Sequence, residues 1–276
     1  MTEPLPPGLH RLGVVAPFGS YLREIWDRRE FAVVVPANDI RAQNMDTVLG
    51  QVWHILNPTV MIAVYWVVFG VILKTNRGID NYLGFLVIGV LLFQLTQRVV
   101  QECSAAVPRN EGLIRSIQFP RALLPLSSLV GQTIAFVPAL GVLVLTLIVT
   151  GEVPSFRWLA LLPIFAAQAL INMGAGFIAA RLGARLLDLQ QILPHLFRLL
   201  FYISGVLFSV DRMISNETIV RLIAINPMYS IITAARWAVL GTPCSPEVGF
   251  SVAGWALLLP VVGVLYFRAN EHRYGA

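Results

Sequence analysis

The sequence predicts an all-α, polytopic membrane protein with six transmembrane helices, an N-terminal amphipathic interface helix and an external re-entrant helical hairpin. Two observations carry that prediction. Charged residues make up 13% of the 276-residue chain and mean hydropathy is +0.72, whereas a soluble domain is charged at about one residue in four. Apolar runs recur six times, each close to the roughly 20 residues an α-helix needs to cross a bilayer.

The elements follow in chain order. In residues 20–35, Tyr21, Leu22, Ile25, Trp26 and Phe31 recur at helical spacing, with Arg23, Asp27, Arg28 and Glu30 largely elsewhere. This pattern reads as an amphipathic helix at the inner membrane surface, the alternative being an ordinary helix packed on the base of the bundle. Pro36 breaks or bends it. After the polar stretch Ala37 to Met45, Asp46 or Thr47 can cap the helix that enters the membrane through Leu49, Trp53 and Leu56. The division is therefore a cytoplasmic N-terminal segment, 1–46, and a six-span transmembrane domain, 47–276.

The six spans are expected near 57–73, 83–102, 124–149, 158–180, 192–209 and 248–267. An even number places both termini on one side. With that side cytoplasmic, Arg and Lys favour the inner segments about two to one over outer ones that hold Lys74, Arg77, Arg157, Arg212, Arg221 and Arg236. The first 20 residues lack the charged, apolar, small-residue order of a cleavable signal, so the first span itself is expected to direct insertion. Cys103 and Cys244 fall on opposite sides in this topology and cannot pair within one chain.

Between spans two and three, residues 107–122 are bounded by prolines and mix Leu113, Ile114, Ile117 and Phe119 with Arg115 and Arg121. The segment reads as a short cytoplasmic helix. Its apolar face is either held out for a partner's groove or tucked under the bundle. The external half-helices, 211–241, comprise two apolar helical runs, Ile219 to Ile225 and Met228 to Leu240, each too short to span and separated by Asn226-Pro227. A re-entrant hairpin and a pair lying on the outer surface both fit.

The chemistry is sparse. The one lysine, Lys74, lies in no phosphate-binding loop, so a motor, if present, is another chain. His10, His54, His195 and His272 are scattered without metal-ligand spacing, and no metal or cofactor is assigned to this chain. No catalytic motif appears, and a net charge of +5 without clustered basic and aromatic residues argues against nucleic acid. Inside the spans, Arg98 and Glu102 are one turn apart and either pair or snorkel. Arg198 sits deeper and is the best functional candidate, for a pore, a carboxylate or a phosphate. Tyr65, Trp66, Phe93, Phe201 and Tyr202 are lipid belt or core, or else rings against which a saccharide stacks in a pore.

Four stretches in one order resemble the permease subunits of type-2 ATP-binding-cassette exporters, specifically the Wzm-like family that exports O-antigen, teichoic acid and other lipid-linked polysaccharides. They are Thr47 to Pro58, similar to the Leu-Gly-x-x-Trp start of that family's first span; Gly112 to Arg121, similar to its coupling segment; Ala184 to Asp188; and Ser204 to Phe208 followed by Asn226-Pro227-Met228. The resemblance implies a homodimer that uses two copies of a cytosolic ATP-binding subunit, with ATP and Mg held by that subunit. Leu113, Ile114, Arg115, Ile117, Phe119 and Arg121 would couple to it, and Tyr21, Arg23, Trp26, Arg28 and Arg29 would form a cytoplasmic gate helix. Asn226, Pro227 and Arg236 would belong to an external gate. Arg115 and Gln118 depart from the commoner pattern, a lysine and an apolar residue. The implied cargo is a polyprenyl-diphosphate-linked glycan in a cytoplasmic membrane. Nineteen arginines against one lysine fit a GC-rich genome such as an actinobacterium's, which points to cell-wall galactan. A drug or small-lipid exporter of the same superfamily is the alternative, and a motorless channel or membrane enzyme the one from another class.

Overall fold

The computed structural model describes residues 18–30, 32–33, 36, 52–74, 78–116, 119–186, 188–213 and 216–269, and among these every regular element is helical. Helix α1 is Phe18–Asp27; α2, Val52–Tyr65, continues as π-helix over Trp66–Ile72; α3 is Tyr82–Arg109 and α4 Glu111–Ser116. Next come α5, Leu123–Val149, a 3-10 turn at Phe156–Ala160, α6, Leu161–Gly183, and α7, Leu189–Ile203. The chain ends with α8, Glu217–Ala224, α9, Pro227–Leu240, and α10, Pro246–Arg268.

Among the described residues, five helical stretches are long and apolar enough to cross a membrane: Ile55–Ile72, Tyr82–Arg109, Leu123–Val149, Phe156–Gly183 and Pro246–Arg268. A sixth is obtained if α8 and α9, bent by 92° at Asn226-Pro227, count as one broken span. The run expected over 192–209 is helical for only 15 residues, about 22 Å at 1.5 Å per residue. It stops because Gly205 turns left-handed, with φ 62°. Two peptide carbonyls beyond the stop, at Gly205 and Val206, are taken up elsewhere.

Helix α3 is the axis of the bundle, and most of its surface is buried among its neighbours. Asn81 caps it, accepting from the Gly84 amide at 2.8 Å, and its Nδ2 donates to Thr150 Oγ1 at 2.8 Å and Glu152 Oε1 at 3.0 Å beyond the end of α5. At the other end Cys103 Sγ donates to the Pro125 carbonyl near the start of α5, so α3 and α5 are antiparallel. Helix α6 runs parallel to α3. Thr96 donates to Asn172 Oδ1 at 2.7 Å and Gln168 Nε2 to the Leu92 carbonyl at 2.7 Å.

Lipid tails are as apolar as leucine, so close backbone approach replaces the hydrophobic effect as the cement between such helices. At the crossing of α6 and α10, a Cβ on Gly174 would overlap the Leu259 carbonyl, and one on Gly263 the Gly174 carbonyl. Gly183 meets the Ser104 carbonyl of α3 in the same way.

The hairpin forms where the sequence places it. Asn226 caps α9 by accepting from the Met228 amide at 2.9 Å, Pro227 occupies the first turn, and Asn226 Nδ2 donates to Ser204 Oγ at 2.9 Å. Trp255 Nε1 donates to the Ile225 carbonyl. Most of α9 is buried against α3, α6 and α10, so the break in the helix faces protein, the condition for irregular backbone at membrane depth.

Candidate functional site

Helix α7 presents three faces. Leu193, Phe197 and Phe201 are buried against α3. Ile192, Leu196, Leu199 and Ile203 form an exposed apolar stripe. Beside it, Asp188, Gln191, His195, Arg198 and Tyr202 are all exposed and recur every three or four residues, within an arc of about 80° at 100° per residue. Polar side chains on an exposed face of a membrane helix belong against water or a polar cargo rather than hydrocarbon. Gln191 and His195 were missed in the sequence reading because Arg198 alone drew attention; the i, i+3, i+7 recurrence of polar residues was the available signal.

Of the expected pore residues, Tyr65 on α2 packs on Phe201 with ring centroids 5.4 Å apart and lies within electrostatic range of Tyr202 and Arg198. Tyr202 and Trp66 are exposed. Phe93 is different. It has no exposed surface and is packed edge-on against Phe197 at 5.9 Å and Phe201 at 5.2 Å. Phe93 and Phe201 thus fasten α7 to α3, and of these rings the ones that keep exposed surface are Tyr65, Trp66 and Tyr202. Glu102 accepts from Arg109 at 2.6 Å, a partner seven residues on, so of the two readings offered for Arg98 and Glu102 the one-turn pair is not the one seen.

At the end of the bundle away from α4 the organising residue is Arg236, counted above among the outer-segment charges but buried inside the bundle. Its Nε and Nη2 donate to the Phe85 carbonyl at 3.2 and 3.0 Å, Nη1 to that of Gly205 at 2.9 Å, and Nη2 also to that of Val206 at 2.8 Å. The guanidinium lies over the Phe85 ring. Five donors in a rigid plane suit three converging carbonyls, so Arg236 ties α9 to α3 and to the turn that ends α7. Tyr82 Oη donates to the neighbouring Leu207 carbonyl at 2.9 Å. Beside this knot a cavity of about 1080 Å³, lined by Asp80, Asn81, Glu152, Arg221 and Tyr229 among others, opens at the end away from α4.

The other end carries α4. Ile114 is buried and Leu113 and Phe119 are half-buried against Val107, Phe177 and Phe267. Of the two arrangements the sequence left open, the apolar face is therefore tucked under this chain's own bundle and not held out. Glu111, Gly112, Arg115 and Ser116 are exposed, with Arg115 and Glu111 3.8 Å apart. Arg121 is half-buried, and Ile117 lies outside the described residues.

Helix α1 sends Ile25 against the same lower cluster. Trp26 is exposed with Arg29 stacked over it, Arg28 pairs with Glu24 at 3.3 Å, and Arg23 is exposed. The side chain of Tyr21 lies outside what is described, as do Thr47 to Gln51 of the first-span motif.

Comparison with known proteins places these features in a family. The model of the ABC-2 type transporter family matches residues 37–240. The O-antigen export system permease protein RfbA of Klebsiella pneumoniae is 25% identical over 246 residues, 89% of this chain and 93% of that protein. The Myxococcus xanthus protein of the same name is 25% identical over 213 residues, 77% and 81% of the two chains. The polysialic acid transport protein KpsM of Escherichia coli is 22% identical over 229 residues, 81% and 86%.

Proposed function

The chain belongs to the ABC-2 type transporter family, and from that premise we propose that it exports a lipid-linked polysaccharide, with the polar face of α7 as a wall of the conduit. It is a multi-pass membrane permease of an ABC-2 exporter without an ATPase domain of its own, and membership implies partnership with an ATP-binding subunit. The cargo reading goes further. Relatives named for O-antigen and polysialic acid transport support a glycan cargo. The observation that carries the reading is the exposed row Gln191, His195, Arg198 and Tyr202 on α7.

In this reading two copies of the chain, each with both termini cytoplasmic, face one another across a conduit. ATP binding at two cytosolic subunits moves α4 and parts α2 from α7 at the dimer axis. Arg198, or arginines at the inner mouth, receives the diphosphate of a polyprenyl-linked glycan such as O-antigen or galactan. Its planar fork suits phosphate oxygens, and Tyr65 and Tyr202 offer ring faces and hydroxyls to the sugars that follow.

The experiment is gentle purification from the native membrane with mass spectrometry of what accompanies the chain, followed by export measured with Arg198→Glu. A Walker-motif subunit in equal amount, and loss of export in an intact Arg198→Glu complex, are expected. Absence of the subunit overturns the exporter as described, and unchanged export removes Arg198 from the mechanism.

A further inference from the structure

Between Gly84 and Val107, the positions of α3 that stand appreciably open are Gln94, Gln97, Arg98, Gln101 and Glu102. Every apolar residue of that stretch is buried, none more than 7% exposed, so what the bundle leaves open is predominantly polar. At 100° per residue the five fall in one arc of about 140°, along roughly 12 Å of helix. Amides against hydrocarbon would each carry an unpaired donor and acceptor, a cost of several kcal/mol.

The position of this stripe relative to α7 follows from the contacts. Helices α3 and α7 are antiparallel, since Phe93 meets Phe197 and Phe201 while Tyr82, eleven residues earlier in the chain, meets Leu207. Turning from Phe93 in the direction of increasing residue number leads to the stripe on α3. Turning the same way from Phe197 and Phe201 leads to the polar row on α7. In an antiparallel pair the same sense of rotation, starting from the shared contact, brings both helices round to the same side. Counting inward from Phe93, Gln97 and Arg98 stand at the level of His195, and Gln101 at the level of Gln191.

We propose that Gln94, Gln97 and Gln101 of α3, with Gln191 and His195 of α7, form a two-walled amide track that binds the hydroxyls of a saccharide chain in the inner half of the membrane. This deepens the preceding reading and rests on it. A glutamine amide both donates and accepts, as a sugar hydroxyl does, so the pairing does not depend on which hydroxyl arrives. The rungs stand about one helical turn, 5.4 Å, apart, comparable with the advance of one sugar unit. Repeated neutral contacts hold a chain without trapping it, as conduction requires. Arg98 and Glu102 flank the rungs, and Glu102 is neutralised by Arg109.

The test uses the permease with its ATP-binding subunit in inside-out vesicles. Gln94, Gln97 and Gln101 are changed singly to cysteine with Cys244→Ser, and labelled by a charged, membrane-impermeant methanethiosulfonate. Native Cys103 is buried and serves as the silent background, with Val99→Cys as the buried control. Labelling at the glutamine positions is expected to be at least about tenfold faster than at Val99→Cys, because thiol reactivity follows exposure. It is expected to slow severalfold with maltoheptaose but not with polyethylene glycol of equal size, which has ether acceptors and almost no donors.

Labelling no faster than at Val99→Cys overturns the track, since the stripe is then sealed by lipid or a second copy. Fast labelling unaffected by maltoheptaose, or slowed equally by polyethylene glycol, overturns the saccharide assignment. Export of the native glycan, measured alongside with Gln97→Leu and Gln101→Leu together, is expected to fall while the ATP-binding subunit stays bound. Full export there also overturns the track. Failure of the exporter reading is seen separately, as absence of that subunit from the wild-type preparation.

Discussion

Removing Arg236 probes the half of the fold away from α4 at the point where its hydrogen bonds are most concentrated. Arg236→Met keeps the length and apolar volume of the stem but leaves the carbonyls of Phe85, Gly205 and Val206 without the donors they have now. Each orphaned buried acceptor costs about 1–3 kcal/mol. Relief from burying a charge offsets part of this, leaving a net loss on the order of 3 kcal/mol. At about 2–4 °C per kcal/mol for a chain of this size class, the apparent melting temperature in detergent, followed by tryptophan fluorescence, is expected to fall by roughly 6–12 °C. Arg236→Lys discriminates the cause. A lysine keeps the charge but presents a point rather than a fork, so it is expected to fall nearly as far as the methionine variant. Full stability of Arg236→Lys would mean that charge, not geometry, is what matters. Melting of both variants within about 1 °C of the parent, well under the shift for 1 kcal/mol, would refute the carbonyl knot altogether.

Two further outcomes follow from the packing. Gly174→Leu is expected to abolish the monodisperse peak in size-exclusion chromatography, because even a Cβ at that position overlaps the Leu259 carbonyl and the helices must part; a normal peak would show that α6 and α10 do not cross as described. On α4, Ile114→Ala is expected to lower permease stability by about 2–4 kcal/mol as a buried truncation and to leave an assembled complex competent. Arg115→Glu, on the exposed face, is expected to weaken retention of the ATP-binding subunit at unchanged permease stability. Co-purification at graded salt distinguishes the two, and the reverse pattern would put the docking face on the apolar side.

The sequence by itself determined the membrane class, five spans to within three residues except where the second runs on seven residues to Arg109, and the hairpin at Asn226-Pro227. Those depend on length, hydropathy and cap chemistry, which are local. It singled out Arg198 only as a charge deep in an apolar run; the polar row around it was available as local periodicity and went unread.

Tertiary structure decided which side of an element is already taken. Phe93 and Tyr202 are both aromatic residues in apolar runs, yet Phe93 is wedged between α3 and α7 while Tyr202 is open. Ile114 and Arg115 are adjacent, yet the bundle claims the first and leaves the second. Arg236 in an external segment looked like a surface charge until three carbonyls, two of them released by the left-handed turn at Gly205, converged on it. The amides of α3 became a surface because α5, α6, α7 and α9 cover the rest of that helix. Hydropathy along one strand of chain states only that a residue can be buried; which neighbour buries it depends on contacts between helices far apart in sequence, and no local pattern encodes those.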